Sequence, residues 1–247
     1  MRPQAEIYHL FHSGVAIKTD DKLLIFDYYK DQPAGDERCL TEGVISEELL
    51  KEEDNIYVFV THSHHDHLNR IIFDWKDYNP EINYVLSSDV KQAVQGGEEN
   101  YYFLNKYESL TLDDLVIETY GTTDQGLSYY LEVDGLNIFH SGDLNWWHWK
   151  KFSAAERKKE EEEFKEEVER FKDKNLDIAF VPVDPRLEEH YYLAGEYFAE
   201  KVSPELLVPI HFSSNYYITE GFTTVIDDLA VKSAVINERG EKIVYNK

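Results

Sequence analysis

Residues 56–68 read IYVFVTHSHHDHL. The first five are all β-branched or aromatic, which suits a strand buried on both faces. Directly after them come His62, His64, His65 and His67, four of the chain's 10 histidines, with Asp66 among them. In an extended segment residues two apart point the same way, so His62 and His64 can reach one ion together. Asp66 is a turn and cap former, so Asp66 and His67 follow the point where the chain turns and face a second point nearby. Imidazole nitrogen and carboxylate oxygen suit zinc, manganese, iron and similar borderline ions. A histidine-rich storage tract would be low in complexity, whereas here a carboxylate interrupts a defined spacing.

The rest of the chain sets bounds on such a site. At 247 residues, 42% hydrophobic and 30% charged, it is long enough for a sizeable core and ordinary in composition for a globular protein. There is no repeat and no Pro/Gly/Ser-rich linker, so one compact domain over 1–247 is the simplest reading. The formal charge of −24 disfavours phosphate backbones and anionic membranes, leaving a small molecule as the expected partner. A metal can still reverse the local field for a small anionic substrate. Cys39 is the one cysteine, so no intramolecular disulfide forms. The N-terminal MRPQAEIYHLF has no apolar signal core, and no apolar run approaches the roughly 20 residues that span a bilayer. These features point to a cytoplasmic protein; nothing in them speaks to oligomeric state.

Short β-rich runs fill the N-terminal part, at 6–11, 15–18, 23–28 and 56–60, with a further strand at 82–86. Ser46 caps a short helix over 46–51, and further helices are expected at 70–76 and 89–94. Residues 109–141 read as a four-strand meander whose Asp134-Gly135 is a strong hairpin signal. A helix over 153–174 is very acidic, but Phe164, Val168 and Phe171 form one apolar face, so the acids are read as its solvated side. Buried strands at 177–183 and 206–210, helices near 193–201 and 222–231, and a last strand at 242–245 complete the chain. The pattern is α/β (α+β), with two sheets and outer helices.

His62, His64, Asp66 and His67 resemble the H-x-H-x-D-H signature of the metallo-β-lactamase superfamily. Asp27 in LLIFDYY is similar to the early aspartate of the same pattern, which ends a strand beneath the site, and Asp143 in FHSGD and His211 in LLVPIHF are similar to its bridging aspartate and last metal histidine, all in the expected order. The wording HSGD and PIHF looks most like the branch that includes L-ascorbate-6-phosphate lactonase-like proteins. The resemblance implies a four-layer αββα sandwich. It also implies one or two divalent metal ions, zinc first, with manganese or iron as alternatives. His62 and His64 would bind one ion, Asp66, His67 and His211 the other, and Asp143 would bridge them. Asp66 would also act in catalysis, orienting water or serving the leaving group.

One piece of the pattern is missing. The superfamily supplies a further histidine between the signature and the bridging aspartate, but no histidine lies between His67 and His140. Asp124, in ETYGTTDQG, is the candidate substitute, against a purely structural role in a Gly-rich turn. Asp27, His12, His65 and His140 are candidates for positions that support the ligands. His148 belongs to the aromatic run NWWHW, which either packs in the core or walls a pocket. Arg186 and His190 are candidates for contact with an anionic group. The expected activity is hydrolysis of a lactone, ester or phosphodiester by metal-activated water. The alternatives are a nuclease of the same superfamily, a non-catalytic metal-binding sensor or scaffold with an incomplete first site, and a two-iron redox enzyme.

Overall fold

The computed structural model describes residues 3–94 and 99–247. Its strands, in chain order, are β1 (Gln4–Phe11), β2 (Gly14–Lys18), β3 (Leu23–Phe26), β4 (Ile56–Val60), β5 (Asn83–Ser87), β6 (Tyr101–Leu104), β7 (Ser109–Leu112), β8 (Leu115–Tyr120), β9 (Ser128–Val133), β10 (Leu136–His140), β11 (Ile178–Pro182), β12 (Leu206–Ile210), β13 (Lys232–Ser233) and β14 (Lys242–Asn246). The α-helices are α1 (Glu47–Glu52), α2 (Ala154–Val168), α3 (Leu193–Val202) and α4 (Tyr217–Val225). The chain divides into two compact units, one reaching to Asn105 and joined by Asn237–Lys247, the other Lys106–Ile236. Each unit carries one mixed seven-stranded sheet, so the expected α/β class with two sheets is what the chain has.

In the first unit the strand order is β14-β1-β2-β3-β4-β5-β6. Pairing is antiparallel from β14 to β3 and parallel from β3 to β6, so β3, β4 and β5 end side by side. All five residues of β4 are buried, as an unbroken apolar run requires. Phe59 stacks at 4.5 Å on Phe26, its register partner in β3. Ser46 caps α1 by accepting the Leu49 N–H. The expected helices at 70–76 and 89–94 are 3-10 segments instead, Arg70–Asp77 and Ser88–Ala93. In the first of these the Tyr84 hydroxyl donates to the Ile72 carbonyl at 2.5 Å, and the Ile72 and Tyr78 N–H groups donate to the carbonyls of Asn69 and Trp75, three residues back. The C-terminal segment is fastened by buried Arg239, which donates to the carbonyls of Leu10, Lys30, Gln32 and Gly43.

In the second unit the order is β13-β12-β11-β10-β9-β8-β7. The expected meander is β7 to β10, antiparallel throughout, and Asp134 and Gly135 take the positive φ values (48° and 77°) that a two-residue hairpin loop needs. Then β10, β11 and β12 run parallel and end together. A capping box formed by Ser153 and Glu156 starts α2, and Phe164, Val168 and Phe171 are fully buried on one face. This helix ends at Val168, earlier than expected, and tightens through i→i+3 bonds to Lys174. One of its acids is not solvated. Glu167 is buried and accepts the Gly121 N–H at 2.7 Å and the Tyr107 hydroxyl at 2.9 Å. Helix α4 lies at 217–225 rather than 222–231, because its buried stripe of Ile218 and Phe222, continued by Ile226, begins four residues earlier. Strands β6 and β13 were not anticipated.

Candidate metal centre

In the first unit the register pairs Phe26 with Phe59, so Asp27 and Thr61 leave the sheet next to each other. Asp27 sits in the left-handed region (φ 44°), uncommon for a residue other than glycine. Its carboxylate accepts the Thr61 N–H at 2.8 Å, the Thr61 hydroxyl at 2.8 Å and the His67 Nδ1–H at 2.7 Å. Having given its proton to Asp27, the Thr61 hydroxyl is an acceptor for the His62 Nδ1–H, 3.0 Å away. Asp27 is thus the hub of a network that places the proton of both rings on Nδ1 and the lone pair on Nε2. Asp27, Thr61, His62 and His67 are all fully buried.

The loop turns where Asp66 was expected to turn it, through bonds from the His67 and Leu68 N–H groups to the His64 carbonyl. Asp89, just after β5, pins it by accepting the Ser63 N–H at 2.9 Å. His62 and His64 bring ligand atoms within 4.8 Å of each other, as do His12, Asp66 and His67. His12 follows an irregularity at the end of β1, is left-handed (φ 59°), and places Nε2 3.6 Å from Asp66 Oδ2. His12 foremost, and His67, hold the half-buried Asp66 carboxyl well below the usual carboxylate range. His65 is 88% exposed, with its ring edge-on to Tyr29.

In the second unit the ends of β10, β11 and β12 present Asp143, Asp184 and His211. The Gly142 N–H donates to buried His140 Nδ1 at 3.2 Å, within the turn that carries Asp143. The Thr123 hydroxyl accepts the Asn145 N–H and pins the next residues. His211 Nε2 lies 3.1 Å from Asp143 Oδ1, and His211 Nδ1 lies 3.1 Å from Asp184 Oδ2. Arg186 grips Asp184 with Nε and Nη2, the shortest contact being 2.7 Å. Burial pushes the Asp184 carboxyl up, but His211 and Arg186 outweigh it and bring it down to about 2. Burial disfavours charge on His211, yet Asp143 first and then Asp184 raise it above its ordinary value. A divalent ion and the Nε2 proton compete for the same lone pair, so this ring, facing two carboxylates, has the chemistry of a metal ligand. The Trp147 ring stands edge-on to His211 at 5.7 Å and stacks on Trp149 at 5.6 Å.

Sequence reasoning missed Asp184, Thr61 and Asp89. Asp184 carries the same signal as Asp27, an aspartate just past an apolar strand, but its role depends on β11 lying beside β12. Asp124 is exposed and, among the described residues, joins no group of potential ligands; its charge is felt by Glu160 of α2. His148 and His190 pack ring on ring at 4.2 Å.

No family model matches the sequence, and no curated protein matches it either. Solved structures do match over the whole length, and with them the fold is defined: the chain has the metallo-β-lactamase fold. It resembles the metallo-β-lactamase fold protein YhfI from Bacillus subtilis, with 12% identity, all of both chains covered and a TM-score of 0.63. It is also similar to Igni18, a metallo hydrolase from the archaeon Ignicoccus hospitalis, with 16% identity, 99% of each chain covered and a TM-score of 0.67. A third likeness is to CmlA, a diiron β-hydroxylase from Streptomyces venezuelae, with 8% identity and a TM-score of 0.63 over 98% of this chain and 54% of the longer one.

Proposed function

We propose that the chain is a metal-dependent hydrolase of a small molecule. The observation that carries this reading is a repeated device: a buried carboxylate holds Nδ1 of a buried histidine at the end of parallel strands, Asp27 on His67 and Asp184 on His211. Carboxylate–histidine pairs of this kind orient metal-ligating rings. The residues that would hold metal are His62, His64, Asp66 and His67 in the first unit, with His12 beside Asp66, and Asp143 and His211 in the second. The donors are imidazoles and carboxylates, which suit zinc, and also manganese or iron. When bound, such an ion acidifies water and polarises the bond under attack. The chain's own residues do the rest. Asp27 and Asp184 fix the rings, His12 steadies Asp66, and the Asp66 carboxylate accepts a hydrogen bond from an incoming water. The net charge of −24 supports a small substrate over a nucleic acid, and a lactone, ester or phosphodiester is the bond class to test.

The test is hydrolysis of a panel of lactones, esters and phosphodiesters by metal-loaded protein. Activity that falls by two orders of magnitude or more in His67→Ala is the expected result; an equal rate in that variant would contradict the assignment. The exposed position of Asp124 favours one second reading, a metal-binding sensor whose first site lacks a protein ligand. Metal-loaded protein inert on the whole panel would support it.

A further inference from the structure

The segments that follow β10 and β11 enclose a cavity of about 260 Å³. Its walls bring together Lys150, Arg157, Arg186 and His190, in a chain whose acids outnumber its lysines and arginines by 49 to 25. Arg157 is aimed by its own backbone contacts, donating from Nε to the Trp149 carbonyl (3.1 Å) and from Nη2 to the Lys150 carbonyl (2.7 Å). It makes no ion pair among the described residues. Arg186 reaches from the cavity to Asp184, which holds His211, so one guanidinium links this wall to the candidate metal ligands. The His148 ring packs against His190. Burial first, then His190 and Arg157, lower the affinity of His148 for a proton.

Two acids, Glu188 and Glu189, line the same cavity. Glu188 is paired at 2.8 Å with Lys150, and it holds a strained backbone (φ 54°, ψ −124°). Glu189 is 68% exposed, with Oε1 3.9 Å from His190 Nε2, so an incoming anion meets His190 in competition with a solvated carboxylate. The volume is smaller than that of whole-ligand pockets, which run to roughly 300–1,000 Å³, and suits one charged substituent of a larger molecule. Guanidinium and imidazole donors in such a setting recognise planar or tetrahedral oxyanions.

We infer that this cavity is a subsite for an oxyanionic substituent of the substrate, a carboxylate or a phosphate, recognised by Arg157 and His190 beside the Arg186–Asp184–His211 chain. This deepens the hydrolase reading and rests on it for the word substrate.

The test reads binding rather than turnover. Inorganic phosphate and acetate are titrated separately into the metal-loaded full-length protein, and the imidazole resonances of His148 and His190 are followed by NMR. The expected result is a saturable shift of both rings with at least one of the two anions. The identity of that anion distinguishes phosphate from carboxylate chemistry. Arg157→Gln should weaken the binding about tenfold or more, and Arg157→Lys less. His190→Gln is a second probe that leaves the Arg157 backbone contacts in place, and it should also weaken binding. Shifts confined to the metal-centre histidines and unchanged by these variants would overturn the subsite, as would no shift at millimolar anion. An active hydrolase without these shifts sinks only the subsite, while an inert protein that shows them sinks only the hydrolase reading.

Discussion

Asp27 is the residue on which the first unit's candidate ligands turn. It holds His67 directly and His62 through Thr61, and its own backbone is left-handed. Asp27→Asn keeps the shape but cannot accept every one of these bonds as an anion. Metal affinity measured by chelator competition should fall about ten- to a hundredfold, whereas an unchanged affinity would remove Asp27 from this role. His9, on β1, gives a separate handle on the first unit. Burial first, then the charges of His12 and Arg239, push this ring down from 6.5 to about 3. Between those values the unfolded chain takes up a proton that the folded chain refuses. Stability is therefore fully present above pH 6.5 and falls as the pH drops towards 3, by on the order of 5 kcal/mol over the whole span. Urea denaturation of His9→Phe between pH 7 and 4 should show a flatter dependence than the wild type. Parallel curves would show that His9 does not set the slope. At this scale the sequence was legible where residues act locally. The spacing of His62 to His67 could be read directly. The link between Asp184 and His211 spans 27 positions and exists only once β11 and β12 are paired.

The elements follow the same logic. Strands β4, β7, β8 and β12 lie where their runs of β-branched and apolar residues place them, because burial on a sheet selects that pattern over a few residues. Helix ends were less legible. The acidic helix α2 was extended too far because its apolar face continues to Phe171, while the backbone has already tightened into i→i+3 turns. The start of α4 carries no side-chain cap to announce it. Packing between α3 and α4 offers a test of the element assignment. A Cβ on Gly195 would meet the Phe222 ring at 2.6 Å. Alanine there gains about 1 kcal/mol of helix propensity, but overlap in a packed core costs about 1–3 kcal/mol, and the close approach sets the sign. Gly195→Ala should lower the thermal midpoint; a raised midpoint would mean that the two helices are not seated as described.

Over the whole molecule, two seven-stranded sheets each end a set of parallel strands in aspartates and histidines, and each set includes a carboxylate–histidine pair. No helix among the described residues is long and apolar enough to cross a membrane. The fold class was legible because a specific motif sits at the end of a strongly patterned strand. The exposure of Asp124 was not, since it offered the right chemistry for a ligand in a stretch whose burial the sequence does not reveal. The charge of −24 predicts that binding to a nucleic acid duplex stays weak, and salt-dependent retention on one would revive the nuclease alternative. The central claim is that these residues hold catalytic metal. Elemental analysis of purified wild-type protein beside His62→Ala and His67→Ala tests it most directly. The account predicts one or two zinc, manganese or iron ions per wild-type chain and a clear loss in each variant. A wild-type chain that retains no such ion after loading and desalting, or variants that retain as much as it does, would contradict it.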